Sequence, residues 1–182
     1  MDMPTVDRMD RNAFVAAFGA IFEHSPWVAE RAYAARPFGD VDRLHAAMTA
    51  AVQASSRAEQ LALLRAHPDL AGKEAQDGTL IEASVGEQAS AGLDRLTKAE
   101  VARIAEANAA YRARHGFPFI IAVRHYTKEG ILHEFARRLA NDTEVELRAD
   151  LEQVFAITRI RLDRLIEKPA TNADGPAASR NV

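Results

Sequence analysis

A chain of 182 residues, 48% of them apolar, is long enough to build one packed domain, and this composition excludes wholesale disorder. The formal net charge is −3 and the 23 basic residues are scattered rather than gathered into a stripe, which argues against nucleic acid or an anionic membrane as a partner. The lack of cysteine removes disulfides, thiolate metal ligands and cysteine nucleophiles. With acids at Asp2 and Asp7 and no long apolar run, neither a signal peptide nor a membrane span is expected, and the expected location is cytoplasmic.

From the N-terminus, Phe14, Ala17, Phe18, Ile21 and Phe22 follow the spacing of one buried helical face. Ser25 offers an N-cap and Pro26 a first helical position, opening a second helix that Pro37 must end. Asp40 can cap a third, striped by Val41, Leu44, Met48, Ala51 and Val52. Capping-box pairs then mark further starts: Ser56 with Glu59, Ser84 with Glu87, Thr97 with Glu100, and Thr143 with Glu146. The helix from about Lys98 stops near Gly116, a natural left-handed terminator. A last helix from about Glu144 to Lys168 sets Leu147, Leu151, Val154, Phe155, Thr158, Arg161, Leu162 and Leu165 near one side.

Two segments break the helical rhythm. Pro68 disfavours helical backbone at His67, so the preceding helix ends there and presents the imidazole at a rim. The run 116–123 is apolar and marked by Pro118, with no evident partner strand. It reads as extended backbone threaded between helices. The stretch from Pro169 onward is rich in Ala, Asn, Gly and Pro and reads as a disordered tail over 169–182. Residues 1–168 therefore read as a single all-α domain, a bundle of about seven to nine helices.

None of the six histidines has a metal-ligand spacing, and no phosphate-binding loop or nucleophile elbow is present. Acid–base chemistry by side chains remains. His67 is one candidate, with the plainer alternative of a helix-terminal residue favoured by the dipole. Glu87 is a second, its alternative being a capping carboxylate; both roles fit a helix N-terminus, where backbone N–H groups also gather to receive an anion. Arg161 stands on an apolar stripe and needs a partner, either a neighbouring carboxylate or a bound anion. Arg159 and Arg164 read as solvated charges.

In order, Phe22-Glu23-His24-Ser25-Pro26-Trp27, His67-Pro68-Asp69-Leu70-Ala71-Gly72, Ser84-x-x-Glu87-Gln88, Ala91-Gly92-Leu93-Asp94, Asn108-x-x-Tyr111, Gly116-Phe117-Pro118-Phe119-Ile120 and Arg161-Leu162 form a series of landmarks. Together they resemble the family of 2-oxo-4-hydroxy-4-carboxy-5-ureidoimidazoline (OHCU) decarboxylases of urate breakdown, from Phe18 to about Leu165. The resemblance implies an all-helical fold particular to that family, a homodimer, a small-molecule ureidoimidazoline substrate, and no metal or organic cofactor. It implies that His67 is catalytic with Glu87 and Gln88 as its polar partners, and that Ser84 and Arg161 contact substrate. Pro68, Phe119, Ile120, Ile121, Ala122 and Val123 would supply backbone lining the pocket. Arg124-His125-Tyr126 departs from the pattern, in which a glycine often follows the arginine. A helical binding module without catalysis, a hydrolase of a neighbouring ureide and a metal-dependent hydrolase are the competing readings; carbon dioxide release separates the first two from a decarboxylase, and activity that survives chelation removes the third.

Overall fold

The structure is a computed structural model that describes residues 1–72 and 93–166. Among the described residues there are eight α-helices and no strand. They are α1 (Met3–Arg8), α2 (Arg11–Phe18), α3 (Trp27–Ala32), α4 (Val41–Gln53), α5 (Arg57–Arg65), α6 (Lys98–His115), α7 (Lys128–Leu139) and α8 (Thr143–Leu165). Short 3-10 turns occupy Tyr33–Ala35, Leu93–Arg95 and Val123–His125. The Ser84–Glu87 capping pair, the Ala91-Gly92 landmark and the proposed tail lie outside the described residues.

Most helices begin where a short polar side chain satisfies the first free amides. The carboxylates of Asp2, Asp10 and Asp40 accept from Thr5, Ala13 and Arg43 amides at 2.9, 2.8 and 2.8 Å. Full capping boxes close at Ser56–Glu59 and Thr97–Glu100, as their spacing predicts. Gly116 ends α6 at φ 81°, in the left-handed region.

Three expectations need correction. The apolar face of the first stripe is not one helix: α2 stops at Phe18, and Ile21 and Phe22 reach the core from turns. Gly19 permits that exit, since a Cβ there would lie 2.6 Å from the Val15 carbonyl oxygen. The second helix is capped at Pro26 without a side-chain bond, and Ser25 is buried instead. At Thr143 the box does not form. Asp142 is the N-cap and Thr143 the first helical residue, its hydroxyl 3.1 Å from Nδ1 of His115. Glu146 is fully buried and committed to other partners. Two helices, α1 and α7, were not anticipated; Thr127 caps α7, which buries Ile131 and Phe135.

Helix α8 is the spine of the bundle, packing against α4, α5 and α6. Its Leu147, Leu151, Val154, Thr158, Arg161 and Leu162 are buried as the stripe predicts, but so are Glu146 and Asp150. Arg159 is not a plain solvated charge: it pairs with Asp42 of α4 and with Asp163. Leu44, Met48 and Val52 are buried on α4, and Phe14, Phe18 and Phe38 fill the N-terminal end of the core. Each such side chain contributes about 1.5–3 kcal/mol on burial.

Candidate active site

A small cavity of about 50 Å³ lies between the end of α5, the 119–123 segment and the C-terminal half of α8. Every described residue expected at the site lines it: His67, Pro68, Phe119, Ile120, Ile121, Ala122, Val123 and Arg161. Ser84, Glu87 and Gln88 lie outside the described residues. Glu23, Leu70, Arg124, Ile157 and Ile160 also line the cavity.

His67 follows the α5 cap, its backbone N–H still bonded to the Leu64 carbonyl at 3.1 Å. The ring is buried, and Nδ1 stands 3.1 Å from the carbonyl oxygen of Leu63 one turn back. A carbonyl only accepts, so a neutral ring carries its proton on Nδ1 and leaves proton acceptance to Nε2. The loop beyond is tied to α6. Asn108 Nδ2 donates to the Leu70 carbonyl at 2.9 Å, and Arg112 Nε donates to Asp69 at 2.9 Å.

Arg161 is buried on α8 and reaches back to the N-terminal third of the chain. It donates to the Ile21 carbonyl at 3.3 Å and to Glu23 at 3.4 Å. Glu23 is therefore a carboxylate partner of the kind an inward arginine requires, and it shares the cavity wall. Its only sequence signal was membership of the Phe22–Trp27 landmark. Both non-glycine residues with positive φ among the described residues adjoin this wall: His24, at 51°, follows Glu23, and Ala71, at 47°, follows Leu70. Such backbone costs roughly 1–2 kcal/mol per residue, and tends to occur where a site dictates the conformation.

The 119–123 wall is held from behind. Asp150 accepts from the Ile120 amide at 3.0 Å, Arg138 donates to the Ile120 carbonyl at 2.8 Å, and Gln153 accepts from the Ala122 amide at 2.9 Å. Arg138 also pairs with Asp150 at 2.6 Å and with Glu146 at 2.9 Å, and lies over the Phe119 ring at 4.7 Å. The Tyr111 hydroxyl donates to Glu146, whose other oxygen accepts from Asn141 at 2.6 Å. Two buried carboxylates thus share one guanidinium. Burial pushes the Asp150 carboxyl up to about 7, although Arg138 and the Ile120 amide pull it the other way. Burial is also the main cause that pushes the Tyr111 hydroxyl far above its usual value, so it stays a donor.

Among the described residues, no group of three or more histidine, aspartate or glutamate side chains could hold a metal ion, and no helix is long and apolar enough to cross a membrane. A buried imidazole with Nδ1 at a carbonyl oxygen, a buried guanidinium and a wall of peptide groups thus meet around one cleft in an all-helical protein.

Residues 7–163 match the OHCU decarboxylase family. The chain is 44% identical over 162 residues to an OHCU decarboxylase of Haloferax volcanii, covering 89% of this chain and 94% of that one. It is 38% identical to one of Amia calva over 172 residues, covering 94% and 98%. A crystal structure of (S)-allantoin synthase superposes with a TM-score of 0.74 at 33% identity, covering 91% of this chain and 54% of that longer one. The fold is shared, at a TM-score of 0.64 and 20% identity, with a crystal structure of OHCU decarboxylase in the presence of (S)-allantoin, covering 86% and 98%. The chain belongs to the OHCU decarboxylase family, and it is a decarboxylase with the all-helical fold of that family.

Proposed function

We propose that the chain releases carbon dioxide from OHCU to give (S)-allantoin in urate degradation, with His67 as the proton-transfer group. The observation that carries this reading is the convergence of His67, Arg161 and the 119–123 backbone on one cavity. The substrate brings its own electron sink. When the bond from C4 to its carboxylate breaks, the electron pair forms C4=C5 and the imine nitrogen takes a proton. The C4 hydroxyl then loses its proton as C4 becomes a carbonyl, and C5 gains one. No organic cofactor or metal is needed to accept the electrons in this scheme.

The protein's share is positioning, charge balance and delivery of a proton to one face of C5. An imidazole titrates near neutral pH and can act in both directions. Glu87 would orient His67 or the substrate hydroxyl. Arg161, Gln88, Ser84 and the peptide groups beside Pro68 and from Phe119 to Val123 would grip the ureido and ring carbonyl groups. General acid–base action of this kind contributes roughly 10²–10⁴-fold. The reading includes a homodimer in the cytoplasm, a single domain over 1–168, and no nucleic acid or membrane partner.

The test is His67→Ala, assayed by generating the substrate from urate in situ and following optical activity and carbon dioxide. The variant should melt like the parent and lose the rate above spontaneous decay. Near-parental turnover by a folded variant removes His67 from the mechanism.

A further inference from the structure

The peptide wall of the cleft has an odd–even asymmetry. The amides of Ile120 and Ala122 are taken by Asp150 and Gln153, two side chains of α8 spaced three residues apart. In extended backbone, alternate amides point to opposite sides. Among the described residues the amides of Phe119 and Ile121 have no hydrogen-bond acceptor, although both residues are buried; at Ala122 (φ −73°, ψ 79°) the chain bends into the Val123–His125 turn, so Val123 lies outside the alternation. Buried N–H groups of this kind are rare and call for a partner, here one in the cavity that these residues line.

We propose that Gln153, Asp150 and Arg138 are positioning residues for the decarboxylation: they hold the backbone of Ile120 and Ala122 against the bundle, and so aim the amides of Phe119 and Ile121 at the substrate. This rests on the reading that the segment contacts substrate. Arg138 holds the Ile120 carbonyl, so residue 120 is held at both its N–H and its carbonyl, and the Ile121 N–H, in the same trans peptide unit as that carbonyl, points the opposite way. Glu146, Tyr111 and Asn141 fix the guanidinium in turn. None of the three positioning groups is among the side chains lining the cavity; they act through the backbone they restrain.

Gln153 is the point at which the device can be tested without emptying the core, since it is only half-buried and uncharged. Gln153→Met keeps length and bulk but removes the acceptor; Gln153→Glu keeps an acceptor oxygen. Each full-length variant is assayed for kcat and KM on substrate generated from urate, with thermal melting and amide hydrogen exchange at Ala122 measured in parallel. Gln153→Met should exchange faster at Ala122 and lose about tenfold or more in kcat/KM, because catalysis is sensitive to displacements of an ångström. Its melting temperature should move by about 2–4 °C, the shift for loss of one ordinary hydrogen bond in a chain of this size. Gln153→Glu should recover most of kcat/KM, a rescue that a merely packing role would not produce. Wild-type turnover with Gln153→Met within about twofold of it, or with Gln153→Glu falling as far as Gln153→Met, overturns the positioning role alone. Wild-type turnover no faster than spontaneous decay overturns the functional reading, and the positioning role with it.

Discussion

Replacing Arg138 by Met keeps the apolar stem and removes the guanidinium from between Glu146 and Asp150, which it meets at 2.9 and 2.6 Å. Two fully buried carboxylates are then left with hydrogen-bond donors but no cation. Asp150, pushed up to about 7, already holds a proton in the parent below that pH, so the variant's cheapest response is to keep one proton more than the parent, which the unfolded chain would release near pH 4. Holding one such proton costs about 1.4 kcal/mol per pH unit, roughly 5 kcal/mol at pH 8 but only about 1.4 kcal/mol at pH 5. The figure at pH 8 agrees with the roughly 3–5 kcal/mol typical of breaking a buried ion pair. The Ile120 carbonyl also loses its donor, adding about 1–3 kcal/mol at any pH. Urea denaturation followed by far-UV circular dichroism should therefore show a gap between parent and variant of several kcal/mol at pH 8, narrowing sharply at pH 5. A gap of the same size at both pH values, or one below about 1 kcal/mol at pH 8, would refute the reasoning, because the carboxylates would then not depend on Arg138.

Asp150→Asn should flatten part of the parent's pH profile. Asp150 has a folded value of about 7 against 3.8 unfolded, so its contribution is present below the unfolded value and lost as pH rises through about 7. Between those values stability should fall by about 1.4 kcal/mol per unit from this group, and the Asn variant should lack that slope. The same slope in the variant refutes the assignment; His45 and His115, held below the usual histidine value by burial, oppose it near pH 6 and cancel in the comparison. Gly116→Ala should destabilise by about 1–2 kcal/mol through backbone strain alone, since the added Cβ would meet Arg65 only at an ordinary 3.6 Å. A melting temperature unchanged by that substitution would show that the left-handed turn into the 117–123 segment is not needed.

The features legible in the sequence were those settled within a few residues. Asp40, Ser56 and Thr97 cap helices because the amides they satisfy lie three positions on, and Gly116 stops α6 because only its own φ is at issue. Thr143 and Glu146 matched the same pattern and failed it, because Glu146 finds stronger partners in Arg138 and Tyr111, eight and 35 positions away. Apolar periodicity carried Ile21 and Phe22 to the core correctly but not the break at Gly19, which depends on how closely the chain approaches itself. In the site, His67, Pro68, Phe119–Val123 and Arg161 were found through landmarks and do line one cavity. The Glu23 partner of Arg161 stands 138 positions away, a separation across which no local pattern speaks. Asp150 carries a signal of its own: an acid between Leu147, Leu151 and Val154 is as conspicuous on an apolar stripe as Arg161 is.

Helix α6 supports both sides of the cleft. Asn108 holds the carbonyl of Leu70, in the loop that follows His67, and Tyr111, one turn further, joins the carboxylates that restrain Ile120. Three residues of helix rise about 4.5 Å, and that spacing is nearly incompressible. The helix therefore works as a gauge block between the two jaws: the width of the gap is inherited from peptide geometry. An insertion anywhere between Asn108 and Tyr111 would rotate one jaw away from the other while leaving every residue in the gap chemically intact.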